Sequence, residues 1–173
     1  TLRGAQVSTV NAAGDVSGLQ VGIVNVGKRV SGMQVGLVNV ADDVDAPIGI
    51  VNWVHDGRRH LEVFATESTT LNLALRTGGR YQHGLLTAGI DTREVNGETR
   101  WPAGAGLGVH VDLAAGISLD LDLVASNVFY GMDDFDSPPL LASFRPTLAW
   151  QFAPGFAVFA APSLNYFLST DGP

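Results

Sequence analysis

Gly18-Leu19-Gln20-Val21-Gly22-Ile23-Val24-Asn25 is followed by Gly32-Met33-Gln34-Val35-Gly36-Leu37-Val38-Asn39. An earlier copy runs Gly4-Ala5-Gln6-Val7-Ser8-Thr9-Val10-Asn11, and a degenerate later one Pro47-Ile48-Gly49-Ile50-Val51-Asn52. The asparagines are spaced 14, 14 and 13 residues apart. Each unit is about nine residues of strand type followed by a polar turn, such as Gly27-Lys28-Arg29 or Ala41-Asp42-Asp43. Its β-branched content and its alternation read as strand rather than helix. Leu19, Val21 and Ile23 share one face, and Gly18, Gln20 and Gly22 the other.

Two geometries fit this period. In a solenoid each unit is one coil, and Asn11, Asn25, Asn39 and Asn52 stack into a ladder. In an antiparallel meander each unit is one strand and one turn, and the asparagines alternate between the two ends of the sheet. The recurrence of Asn favours the first. The nine-residue strand favours the second, because a 14-residue coil leaves little chain for turning back. The pattern of the remaining chain tips the reading toward the meander.

Beyond residue 54 turn signals recur at Asp56-Gly57, Gly78-Gly79, Asn96-Gly97, Ala114-Ala115-Gly116 and Pro154-Gly155, and such dipeptides between extended runs mark hairpins. Leu71, Leu73 and Leu75 alternate with Asn72, Ala74 and Arg76. Leu107, Val109, Val111 and Leu113 alternate with Gly106, Gly108, His110 and Asp112. Ile117, Leu119, Leu121 and Leu123 alternate with Ser118, Asp120 and Asp122. The spacing predicts strands over 48–55, 58–66, 69–77, 81–95, 98–113, 115–130, 139–152 and 155–168. With the repeats the total is about twelve.

One face of this meander is oily, and no amphipathic helix is available to cover it. A sandwich would pack two such faces together; a lipid-facing barrel turns its oily face outward and its polar face inward. The long strands and the small inner residues Gly104, Gly106, Gly108 and Ala149 suit a narrow, filled barrel. The expected fold is therefore all-β: an antiparallel meander closing into an outer-membrane-type barrel of about 12 strands. Residues 1–53 form its repeat segment, residues 54–173 the rest, and Thr1–Asn11 pairs with the strand near 155–168. The alternative is a short β-solenoid over residues 4–53 followed by an antiparallel sheet. Three tyrosines are few for interface girdles, which weighs toward a soluble form.

Composition narrows function. The 173 residues carry 10 Lys and Arg against 17 Asp and Glu, a formal charge of −7, with 16% charged, 46% hydrophobic and 21 Gly. Disordered chains are more polar and more charged. Nucleic-acid binders need clustered basic residues. Without cysteine there is no disulfide, thiolate metal site or thiol nucleophile. No run is long and apolar enough for a transmembrane helix. The opening at Thr1, inside a repeat, reads as a trimmed piece.

The tandem units Gly18–Asn25 and Gly32–Asn39, closing with Ile48-Gly49-Ile50-Val51-Asn52-Trp53 and then Asp56-Gly57, resemble bacterial surface repeat-containing proteins. Members of that family carry such repeats ahead of an outer-membrane β-barrel-like region. The resemblance implies a cell-surface or outer-membrane location, lipid or detergent around the barrel, and no catalytic residues or cofactor. The repeat match covers roughly residues 4–53; the downstream strands match in style.

Candidate sites are few. Arg76, Asp112, Asp120, Asp122 and Arg145, with Glu62, fall on the inner face and form an expected lumen network of opposite charges. Asp133, Asp134 and Asp136 could offer oxygens to calcium, but their spacing is not that of an EF-hand and a solvated loop is the better reading. His55, His60, His83 and His110 lack the spacing of a zinc set. No Gly-x-Ser-x-Gly elbow occurs. Gly104-Ala105-Gly106-Leu107-Gly108 lies within a strand pattern, so it is no dinucleotide loop. The expected function is non-enzymatic: a structural protein, adhesin or small pore. The alternatives are a soluble periplasmic or secreted binding module, and an outer-membrane barrel hydrolase.

Overall fold

The computed structural model describes residues 1–66, 69–95, 98–131 and 138–168. Every regular element among them is a β-strand. The repeats form eight short strands: β1 (Leu2–Val7), β2 (Val10–Ala12), β3 (Val16–Val21), β4 (Val24–Val26), β5 (Arg29–Val35), β6 (Val38–Ala41), β7 (Asp43–Ile48) and β8 (Val51–Val54). Odd strands make one parallel sheet in the order β1-β3-β5-β7, and even strands a second in the order β2-β4-β6-β8. Equivalent residues stack: Gly4, Gly18 and Gly32; Gln6, Gln20 and Gln34; Asn11, Asn25, Asn39 and Asn52. This is a solenoid of four coils, and the expectation that the repeats supply antiparallel barrel strands is overturned.

The physical reason lies in the middle of each unit. The nine-residue extended run is two strands with a bend at 8–9, 22–23, 36–37 and 49–50. The bend presses the coils together: a Cβ on Gly22 would lie 2.2 Å from the Ser8 carbonyl oxygen and 2.7 Å from Asn11 Nδ2. Asparagine then holds the stack. Asn25 Nδ2 donates to the Val35 carbonyl (2.9 Å) and to Asn39 Oδ1 (2.8 Å), as Asn11 Nδ2 does to Val21 (2.8 Å) and to Asn25 Oδ1 (2.8 Å). Asn39 passes the ladder to Asn52 at 2.8 Å. A second ladder runs from Gln34 Nε2 to Gln20 Oε1 (2.9 Å) and from Gln20 Nε2 to Gln6 Oε1 (3.1 Å). All four asparagines, Gln20 and Gln34 are fully buried, beside a small apolar cluster of Val16, Val30, Ala41, Val44 and Val54. Ile23, Val26, Met33 and Leu37 of the coils are exposed. The fourth coil is a residue short and carries Pro47 opposite Gln34, so the glutamine ladder stops there.

The rest of the chain is an antiparallel meander: β9 (Arg58–Phe64), β10 (Leu71–Gly78), β11 (Gln82–Val95), β12 (Glu98–Ala114), β13 (Ile117–Tyr130), β14 (Leu140–Ala153), β15 (Phe156–Ala160) and β16 (Leu164–Leu168). Strands β15 and β16 both pair with β14, as two pieces of one edge row broken at Ala161-Pro162-Ser163. The sheet curls into an open half-barrel whose two edges are β9 and the β15/β16 row. The closed twelve-strand barrel does not form, and β1 and β2 pair with β3 and β4 rather than with residues 155–168. Once the repeats are spent on parallel coils, seven antiparallel rows remain. The expected turn at Asn96-Gly97 lies outside the described residues.

The last coil seats on β10 and β11. The Asn52 backbone N–H, which has no fifth coil to bond, donates to Thr77 Oγ1 at 3.0 Å. A Cβ on Gly84 would come within 2.1 Å of the Ile50 carbonyl oxygen and 2.2 Å of that of Gly49, so backbone meets backbone there.

Replacing Asn39 with leucine keeps the branched shape but removes both polar atoms, so an Asn25 amide hydrogen and the Asn52 oxygen lose their partner. Each buried orphan costs about 1–3 kcal/mol. A fall of that order in unfolding free energy by denaturant titration is expected for N39L. Asp15 is the contrast. Arg29 bonds it on the surface at 3.1 Å and holds its carboxyl below the usual range. Exposed pairs contribute little, so D15N should leave the denaturation midpoint at neutral pH nearly unchanged. The small gain that Asp15 does provide should fade as pH falls through its lowered pKa.

Candidate functional site

Alternation sends every second residue of β9–β14 to the concave side. One cross-strand row there reads Gly78, His83, Gly108, Asp122, Arg145. Gly108 is the enabling residue. A Cβ on it would lie 2.3 Å from both His83 Nε2 and Asp122 Oδ1. With only hydrogen there, the side chains of β11 and β13 meet over β12, and His83 Nε2 lies 2.7 Å from Asp122 Oδ1. Gly106 does the same for the next row, where Leu85 and Val124 join Ala74 in an apolar patch.

Asp122 is the hub and is fully buried. Arg76 grips it with both guanidinium nitrogens, at 3.0 Å to each carboxylate oxygen, the strong fork geometry. Arg76 Nε donates to Glu62 Oε1 at 2.9 Å, and its Nη1 lies 2.6 Å from His83 Nε2. Arg145 bridges Glu62 Oε2 (3.2 Å) and Asp122 Oδ2 (3.3 Å), with its guanidinium 4.9 Å over the Phe64 ring. The network continues toward the rim. Asp120 Oδ1 lies 3.5 Å from Arg76 Nη1 and 2.7 Å from His110 Nδ1. His110 Nε2 lies 3.0 Å from Asp112 Oδ1, and Arg58 contacts His110 and reaches Asp112 at 3.3 Å. Arg76 and Arg145 are nearly as buried as Asp122, whereas Asp112 is largely exposed.

The structure thus brings Arg76, Asp120, Asp122 and Arg145 together and attaches Asp112 at their outer end. His83, His110 and Arg58 are members that sequence reasoning left out. His110 was legible as an inward position between Gly108 and Asp112. His83 was not, because its inward neighbour Leu85 is apolar and breaks the alternation. The four ladder asparagines lie inside the solenoid, bonded to one another, and so do Gln20 and Gln34, whose stacking the Gly-x-Gln spacing would have revealed. Asp133, Asp134 and Asp136 lie outside the described residues. Among the described residues no three His, Asp or Glu side chains are grouped to hold a metal. His83 and His110 lie against carboxylates and guanidinium groups, and no Ser or Thr hydroxyl joins them among the described residues.

The ion network crosses the concavity from β9 to β14, and the Phe64 and Phe159 rings meet edge to face beside it at 6.0 Å. It separates two recesses. One, of about 530 Å³, is bordered by Arg58, His110, Asp112, Ser118 and Gln151; the other, of about 100 Å³, by Asn72, Ser126, Ser143 and Asn165. The convex side is the reverse in chemistry. Leu71, Leu73, Leu75, Leu107, Val109, Val111, Leu123, Leu148, Trp150 and Phe152 are all exposed on it. What the arrangement does chemically is fill and cross-link an interior with charge, while presenting hydrocarbon outward.

Comparison with protein-family models, with curated proteins and with solved structures gave no match to this chain.

Removing one member of a buried ion cluster leaves the others charged and unpaired, which costs about 3–5 kcal/mol. D122L, which takes the shared carboxylate from Arg76 and Arg145 and leaves both on Glu62, should therefore lose much of the meander's stability. G108V should act in the same direction by driving His83 and Asp122 apart. Unfolding free energies of both, set against the outward-facing control L107V, check this.

Proposed function

We propose that this is a non-enzymatic β-protein of the bacterial outer membrane or cell surface, whose meander is embedded in lipid and whose charged interior keeps it rigid. The observation that carries the reading is the inversion of polarity across β9–β15. A water-soluble sheet of this kind buries leucine and exposes arginine; here leucine, valine and tryptophan are exposed while Arg76, Asp122, His83 and Arg145 are buried. Exposed apolar patches beyond a few hundred Å² mark contact with a partner or a membrane. Strands β11, β13 and β14 have 14 residues and β12 has 17. At roughly 3.3 Å per residue and a tilt near 45°, such strands reach about 30 Å along the membrane normal. The repeat resemblance to bacterial surface proteins points to the same location.

The reading carries a structural requirement. Lipid tolerates no unpaired sheet edge. Rows β9 and β15/β16 are separated by five alternating strands, so both edges run in the same direction. Direct closure would be a parallel pairing. An antiparallel barrel with an even number of rows takes a further strand between them, opposite in direction to both. The Arg145–Glu62 and Phe64–Phe159 contacts across the concavity support an anchor in preference to a conducting pore, since they occupy its middle.

The test is folding as a function of solvent. Protein prepared with detergent should be β-rich, migrate faster unboiled than boiled, and show no channel conductance in planar bilayers. Reconstituted with bromine-labelled lipid, its fluorescence should be quenched, and W150F should lose most of that quenching. A monomeric, β-rich protein in plain buffer, with no mobility shift and no quenching, would overturn the lipid reading in favour of a soluble binding module. A serine-reactive probe that labels one residue would favour the hydrolase.

A further inference from the structure

The solenoid repeats the inverted polarity of the sheet. Along the second coil the side chains that alternate with the buried Val16 and Gln20 read Asp15, Ser17, Leu19, Val21 and, at the bend, Ile23. The return strand presents Val24, Val26 and Lys28 around the buried Asn25. The third coil keeps the order: Arg29, Ser31, Met33, Val35 and Leu37, then Val38, Val40 and Asp42. The fourth runs from Asp43 and Asp45 to Ile48 and Ile50, and back through Val51 and Trp53 to His55. Each coil is therefore sorted along its length, with charge at the turn and hydrocarbon at the bend. Ile23 and Leu37, at the bends, are 50% and 52% exposed.

The seat of the fourth coil sets the height of this gradient against the sheet. Gly49 and Ile50 press on Gly84, and Asn52 bonds to Thr77. Thr77 and Gly84 share a cross-strand row with Leu107, Leu123 and Phe144, so the coil sits on the convex side. That row lies near the middle of β12 and β13. Nearer the rim, a Cβ on Gly79, in the β10–β11 hairpin, would meet Pro47 at 3.1 Å and the Val44 carbonyl oxygen at 3.7 Å. The bends thus point toward mid-height and the charged turns toward the rim. From Leu19 to Ile23 the chain rises about 13 Å, at roughly 3.3 Å per residue. That is close to half of the hydrocarbon thickness of a bilayer, about 30 Å.

We propose that the solenoid is itself a membrane element: the second to fourth coils stand bend-first in one leaflet beside β10 and β11, with acyl chains against both outer faces and the charged turns among the headgroups. This rests on the lipid reading of the meander and extends it to the repeats. The outer apolar surface of the coils is continuous with the convex face of the sheet, at the height of Leu107 and Leu123. It wraps three sides of each coil: the first sheet, the corner and the second sheet. A folded partner or a second copy meets one side, whereas fluid lipid meets all three. Lipid also requires that backbone groups be satisfied within the protein, and the bends comply. The Ile23 and Val24 N–H groups both donate to the Thr9 carbonyl (2.9 and 3.1 Å), and those of Leu37 and Val38 to the Ile23 carbonyl (3.0 Å each). The Val21 and Val35 carbonyls take the asparagine amides of the coil before. The buried asparagines thus supply, close to the bend, donors that water supplies to an exposed corner.

The chain has no cysteine, so a single introduced one carries a nitroxide label without interference. The probes are I23C and L37C at the bends, K28C and D42C at the turns, and V109C on the convex face of the meander, each in vesicles of phosphatidylethanolamine and phosphatidylglycerol. All five replace exposed side chains, and two probes at each level of the solenoid keep the result from hanging on the folding of one variant. Collision of the label with oxygen, which concentrates in hydrocarbon, is compared with collision with a water-soluble nickel chelate. Labels at positions 23 and 37 should prefer oxygen as the label at 109 does, and those at 28 and 42 should prefer the chelate. Chelate preference at 23 and 37, with oxygen preference kept at 109, would overturn the inference and leave the meander in lipid. Chelate preference at 109 as well would overturn the lipid reading and this inference with it. Shielding of 23 and 37 from both reagents would overturn it in favour of a protein contact, and spin–spin broadening between labels on separate copies would identify that contact as self-association.

Discussion

Satisfaction of buried polar groups governs this molecule more than burial of hydrocarbon does. An uncompensated amide or charge in a protein interior costs several kcal/mol, and here the interiors are made of amides and charges. In the solenoid Asn11 and Asn25 place their Nδ2 hydrogens on a backbone carbonyl and on the next asparagine, Asn39 donates to Asn52, and Asn52 to the Gly49 carbonyl. In the meander Arg76 meets three carboxylates and Arg145 two. Both halves therefore resist sliding. Hydrophobic contacts are non-directional and tolerate slippage, but a ladder with one donor per acceptor has a single register. The apolar side chains, released from the core, are left on the outside.

Glycine makes this possible in the sheet. A concave face of seven rows has little room, and a barrel of about eight strands is just wide enough for its side chains. Placing Gly104, Gly106 and Gly108 in the middle of β12 lets residues from β11 and β13 lie across that strand and touch. The same spacing on the outer face carries Leu107 and Val109. One strand thus gives space inward and hydrocarbon outward.

Much of this was legible in the residues, and the limits have physical causes. The alternation of leucine with charged residues located the strands of the meander and put Arg76, Asp120, Asp122 and Arg145 on one face. It said nothing of closure, because a strand reads alike at an edge and in the middle. The repeats were harder. Gly22-Ile23 looks like the continuation of a strand, and only the clash that a Cβ at Gly22 would make with the coil before shows it to be a corner. Equal spacing of Asn fits a ladder or a row of turns; the preceding Gly-x-Gln, which stacks in the same register, was the discriminating signal. His83 escaped because position 85 on the same face is leucine, and a pattern based on polarity cannot follow a face that changes character along its length.

The fourth coil is the one that seats on the sheet. It differs from the others in length, in having Pro47 where they have glutamine, and in placing that proline against Gly79. The coils before it are interchangeable in cross-section, and each adds one strand spacing, about 4.8 Å, to the axis. The length of the array is therefore set by the number of coils, and its mount by the fourth. Units gained or lost among the first three would change how far its tip stands from the sheet in steps of that size, while the mount, the half-barrel and its charged interior stay as they are.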